Sequence, residues 1–192
     1  MLRFLSISMA MAVLLGGCAG AYVGGGVSAN DPINVRGHLP DLHFRLTDDT
    51  GRTVTQDAWR GQTTLLYFGY TGCGAECPVT LARLAEVTHR LATTGPAPRV
   101  LFVTVTPDTD QPAVLHAYLA RFDSAHMSGL TGRSPDVAAL ARDLRAAWPQ
   151  PGGASHGDLV YVFDAQGQAR FVITPQDSDS GVVRAVKSLS HG

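Results

Sequence analysis

Two runs, LLYFGY at residues 65–70 and RVLFVTVT at 99–106, are too continuously apolar for strands with one wet face. Each reads as a central strand buried on both sides, rich in β-branched and aromatic residues. Between them Val79, Leu81, Leu84, Ala85, Val87 and Leu91 recur at helical spacing, with Pro78 in the first turn and Gly95-Pro96 past the end. A strand, a helix and a second strand joined in this way form a right-handed crossover with parallel strands. This argues for an α/β protein and against all-α and all-β architectures.

The flanking segments extend that unit. LHFRLTDDTGRTVTQ, residues 42–56, has strand-like arms around Asp48-Asp49-Thr50-Gly51, a strong hairpin signal. The Asp49-Thr50-Gly51 triplet also occurs in aspartic proteases, but one copy in a tight turn is a turn. After the second apolar strand, Asp110 is expected to cap a helix through Tyr118 and Phe122, with Pro112 in its first turn. Ser134-Pro135-Asp136 opens a third helix with Val137, Leu140, Ala141 and Leu144 on its apolar side. A loop, WPQPGGASHGD, leads into a second hairpin with strands at 159–163 and 169–174, and an amphipathic helix spans about 181–189. The expected fold is one domain with an N-terminal β-hairpin and a central mixed sheet flanked by helices.

The N-terminus reads differently. Arg3 is its only charge, and residues 4–15 form an apolar core of signal-peptide length, too short for a bilayer span. The run closes with Leu15-Gly16-Gly17-Cys18, which resembles the lipobox of bacterial lipoproteins and makes Cys18 the expected lipid-modified first residue. The expected organisation is a signal peptide at 1–17, a Gly/Ala/Ser-rich tether at 18–34 and the domain at 35–192. The domain is then exported and held at the periplasmic side of a bacterial membrane by its lipid. Lys and Arg total 15 against 16 Asp and Glu, without a block of like charge, which argues against a nucleic-acid partner.

With Cys18 acylated or removed, Cys73 and Cys77 remain, in a compartment where thiols oxidise unless a dedicated system reduces them. Both fall between the carboxyl end of a central strand and the amino end of a helix, where α/β sheets carry their sites. Unpaired helix amides there favour the thiolate and are expected to lower the cysteine pKa. On a helix, a four-residue separation puts the Cα atoms about 6 Å apart, within reach of a disulfide. Spacing alone therefore leaves a structural bridge, a redox pair and a metal site open. A metal site needs a further ligand from the seven histidines. His156 is positioned best, just ahead of the strand at 159–163; if that strand lies beside 65–70, its imidazole could reach the cysteine loop. His38 and His43 lie near the domain start, His191 is in the tail, and His89, His116 and His126 fall on or after helices without metal-ligand spacing.

LYFGYTGCGAECPVTLARL resembles the signature of the Sco-type (SenC/PrrC) copper-binding proteins, a Phe-Gly-Tyr-Thr strand end followed by Cys-x-x-x-Cys-Pro. VLFVTVTPDTDQPAVLHAYLARF and SHGDLVYVFDAQGQ resemble that family's next strand and helix and its metal-histidine segment, in the same order. The resemblance implies a thioredoxin-like fold, copper as Cu(I) or Cu(II) held by Cys73, Cys77 and His156, and a metallochaperone role. Its partners would be a copper donor and a recipient cuproprotein, cytochrome c oxidase among them. The loop Gly74-Ala75-Glu76 lacks the Pro-Asp common after the family's first cysteine, Gly72 replaces a frequent histidine, and Thr106 replaces the usual Asp before Pro107. Asp108 and Asp110 are read as turn and cap residues. The competing reading is a thiol-disulfide oxidoreductase that uses Cys73 and Cys77 to reduce a cuproprotein's cysteines. A thiol peroxidase is a third, since peroxiredoxins share the general fold.

Overall fold

The computed structural model describes residues 30–146 and 158–191. The predicted signal peptide, Cys18 and His156 lie outside the described residues. Eight strands form one mixed sheet: β1 (Ile33–Asn34), β2 (Arg45–Asp48), β3 (Thr53–Thr55), β4 (Thr64–Gly69), β5 (Arg99–Thr104), β6 (Met127–Thr131), β7 (Val160–Phe163) and β8 (Ala169–Ile173). Among the described residues, four α-helices accompany them: α1 (Glu76–Ala92), α2 (Pro112–Leu119), α3 (Ser134–Asp143) and α4 (Asp179–Lys187). The strand order is β1-β8-β7-β4-β5-β6-β2-β3. Among the described residues, no helix is long and apolar enough to cross a membrane.

The two apolar runs become adjacent parallel strands at the centre, with Leu65 beside Val100 and Phe68 beside Val103. Their side chains alternate between two cores, which is why neither run shows a polar face. Leu65, Tyr67, Val100 and Phe102 pack with residues of α1, α2 and α4. Leu66, Phe68, Leu101 and Val103 pack on the other face with α3 and the entering segment that carries Leu42 and Phe44. The β7–β8 hairpin adds to the free side of β4, antiparallel, with Tyr67 opposite Val160. That register places the start of β7 beside the carboxyl end of β4.

Both hairpins form as expected, the first at one edge of the sheet. Asp48 Oδ1 accepts from the Thr50 and Arg52 amides and closes its turn, and Gly51 supplies a φ of 87°. The protease triplet is thus turn chemistry. Two expectations need correction. Strand β6 occupies a stretch without a strand signal, and the residue at the N-cap of α2 is Gln111 rather than Asp110. Asp110 is instead buried and turned towards the cysteine loop.

Candidate functional site

Strand β4 ends at Gly69, the chain turns through Tyr70, Thr71 and Gly72, and α1 begins at Glu76. Cys73 precedes the helix and Cys77 sits in its first turn; both are buried thiols. The helix has no side-chain cap at Ala75. The Cys77 amide instead donates to Cys73 Sγ at 3.4 Å, so the first sulfur takes up one of the amides that a helix start leaves without an intrahelical acceptor.

Three residues hold this turn, and none was among the candidate ligands. Asp110 accepts from the Thr71 amide at 2.9 Å, from Thr71 Oγ1 at 2.6 Å and from Thr104 Oγ1 at 2.6 Å. It thereby ties the loop before Cys73 to the end of β5. Gly69 lets the helix approach: a Cβ there would meet Cys77 Sγ at 2.9 Å and the Phe102 ring at 2.6 Å. Tyr67 reaches Cys77 Sγ with its hydroxyl at 3.5 Å and lies 3.5 Å from Asp158 Oδ1. The usable sequence signal was the two-residue alternation along β4, which puts Leu65, Tyr67 and Gly69 on the face that meets α1.

The expected lowering of the cysteine pKa does not hold at Cys77. Complete burial pushes this thiol upward, the Tyr67 hydrogen bond opposes the shift, and the neighbouring Cys73 thiol adds to it. Desolvation outweighs the helix start because the sulfur lies inside the core, with no exposure to solvent. Burial, then the contact with Cys77, also raises the Tyr67 phenol, so it stays a donor.

Strand β7 lies beside β4. Asp158, at the start of that segment, is near Tyr67, and Tyr67 touches Cys77. His156 itself is outside the described residues. Asp108 is an exposed turn residue, as expected.

The SCO1/SenC family profile matches residues 37–191. Bovine "Protein SCO2 homolog, mitochondrial" is 35% identical over 123 residues, 63% of this chain and 45% of that protein. The chain spans 45% to 64% of the length of the first three curated relatives it matches. Copper-bound yeast Sco1 superposes with a TM-score of 0.69 at 28% identity, covering 79% of this chain and 88% of that one. Copper-bound ScoI of Bradyrhizobium japonicum gives 0.65 at 29% identity, covering 78% and 97%. The sheet and its helices are thioredoxin-like, with the cysteine pair at the same strand-to-helix turn that the sequence marked. With that fold and a profile match that runs from the entering segment to the last helix, the chain belongs to the SCO1/SenC family.

Proposed function

We propose that this chain is a copper metallochaperone that binds the ion through Cys73, Cys77 and His156 and passes it to a cuproprotein. The observation that carries the reading is the chain of contacts from Cys77 through Tyr67 to Asp158. It anchors the start of β7 beside the thiols, and His156 is two residues upstream, within about 7 Å of extended chain. Two soft sulfurs and an imidazole suit copper. Three protein ligands leave the ion coordinatively open, which ligand exchange with a donor or recipient requires. The copper-bound relatives from yeast and Bradyrhizobium support the same cargo.

The recipient we assign is cytochrome c oxidase or another cuproprotein, following the family resemblance. We also assign residues 1–17 to a lipoprotein signal peptide and the stretch from Cys18 up to β1 to a tether, with a lipid on Cys18 that holds the domain at the periplasmic face; the expected tether ends short of residue 34 because Ile33 and Asn34 pair with β8. The support is Arg3, the apolar run and Leu15-Gly16-Gly17-Cys18. Buried methylenes of the lipid contribute about 0.8 kcal/mol each to anchoring.

Copper titration of the chain and of Cys73→Ala, Cys77→Ala and His156→Ala tests the ligand set. Each substitution is expected to weaken Cu(I) binding and to abolish a sulfur-to-Cu(II) charge-transfer band. Unchanged binding in all three sinks the assignment. Disulfide reductase turnover that needs both cysteines and survives His156→Ala would favour the oxidoreductase instead.

A further inference from the structure

Near the far end of α1 from the cysteines, His89, Asp123 and His126 converge, although the sequence shows no metal-ligand spacing among them. One ligand atom from each lies within 4.8 Å of the other two. His89 Nε2 is 3.2 Å from Asp123 Oδ2, and His126 Nδ1 is 2.8 Å from the same oxygen. Atoms bound about 2.05 Å from one ion at angles of 90° to 110° are about 2.9 to 3.4 Å apart, so both separations are close to those of a shared ion. The imidazole rings stand nearly perpendicular, 74° apart, with centroids at 6.0 Å.

Asp123 is built to present one oxygen. Its Oδ1 accepts from the Ala125 and His126 amides at 2.9 and 3.1 Å, which fixes the carboxyl group and leaves Oδ2 for the imidazoles. Backbone bonds of this kind orient a ligand in the manner of an outer coordination shell. The side chain of Asp123 is 4% exposed, while those of His89 and His126 are 57% and 31% exposed, so the cluster has a fixed floor and an open side. An ordinary His–Asp ion pair needs one imidazole. Here two from different elements, α1 and the turn before β6, meet on a single oxygen.

We propose that His89, Asp123 and His126 form a second metal site, which takes a borderline divalent cation, Cu(II) ahead of Zn(II), through two imidazoles and one carboxylate. Imidazole and carboxylate donors without sulfur favour divalent ions over Cu(I), and the general affinity order puts Cu(II) above Zn(II). The site is independent of the thiols: Cys77 and His89 are separated by about 18 Å of helical rise. His89 binds through Nε2 and His126 through Nδ1, and the fourth position faces solvent.

The experiment uses the full chain carrying Cys73→Ser, Cys77→Ser and His156→Ala, so failure of the proposed thiol site does not affect the result. CuCl2 and ZnCl2 are titrated separately, and the Cu(II) form is followed by electron paramagnetic resonance. One equivalent is expected, with Cu(II) tighter than Zn(II) and hyperfine splitting from two nitrogens. His89→Gln and His126→Gln should each weaken binding at least about tenfold, and Asp123→Asn should do the same while keeping its Oδ1 hydrogen bonds. Circular dichroism of the three variants checks that the fold is retained. Absence of binding in the parent overturns the proposal, as does binding that neither histidine substitution weakens, which would be adventitious surface metal only.

Discussion

A methyl group on Gly69 would stand 2.9 Å from the sulfur of Cys77. The end of β4 and the first turn of α1 are therefore in contact through a residue with no side chain. The required feature is space and not backbone freedom, because Gly69 is not among the glycines with positive φ. Gly69→Ala is expected to destabilise the domain by about 1–3 kcal/mol through overpacking and to weaken copper binding. The same Cβ also meets Phe102 at 2.6 Å, so Gly69→Ala with Phe102→Leu separates the two contacts. Denaturant melts should show recovered stability in the double variant, while copper affinity stays low. If affinity recovers together with stability, the sulfur contact has no role of its own.

Asp110 joins the cysteine loop to β5 through both side-chain oxygens. Asp110→Ala leaves the buried Thr104 hydroxyl and the Thr71 amide without this acceptor, at a cost of about 1–3 kcal/mol. Loss of the tether should also loosen the turn that carries Cys73 and speed copper release to a chelator about tenfold, the scale of outer-shell effects. Stopped-flow transfer to a chelator reads this directly. A variant that is destabilised yet releases copper at the parent rate would make Asp110 a purely structural anchor.

The central crossover was legible because burial on both faces writes itself as an unbroken apolar run. Strand β6 was not, since MSGLT carries a serine and a glycine where a strand signal would need larger side chains. The reason is packing: a Cβ on Gly129 would lie 2.8 Å from Leu115 Cβ, so α2 sits too close for anything larger. Asp110 misled for a different reason. An aspartate before a Pro-led helix looks like a cap, and its actual partner Thr71 is remote in sequence. The cysteine turn could be placed from local pattern alone, but the rise in the Cys77 pKa could not. A helix start is visible in a sequence, whereas the desolvation that outweighs it comes from Tyr67, Phe102 and their neighbours in the core. The His89–Asp123–His126 cluster was hidden for the same reason, since only the packing of α1 beside the turn before β6 unites it.

Tyr67→Phe removes one hydroxyl and little volume, so the fold should persist. The hydrogen bond from that hydroxyl lowers the Cys77 pKa against the effect of burial, and its loss should raise the thiol further. Alkylation of Cys77 in a Cys73→Ser background should become slower at fixed pH, with its pH profile displaced upward. Copper affinity should fall severalfold, because the proton is harder to displace. An unchanged alkylation profile would show that the contact at 3.5 Å is geometric only.

Proton release should accompany copper binding. Cys77 titrates above the ordinary thiol range, so near neutral pH the metal-free protein holds this proton, whereas a thiolate ligand does not. The sign follows: raising the pH towards the Cys77 pKa strengthens binding, by up to about tenfold per pH unit for each proton released, and the gain ends above that pKa. Competition titrations at several pH values give the slope, and calorimetry in buffers of different ionisation enthalpy gives the proton count. A Cys77→Ser chain loses this proton from its balance, so its slope should be shallower by up to one proton. Equal slopes in the two chains would mean that Cys77 is not deprotonated on binding, and the two-sulfur site would fall with that result.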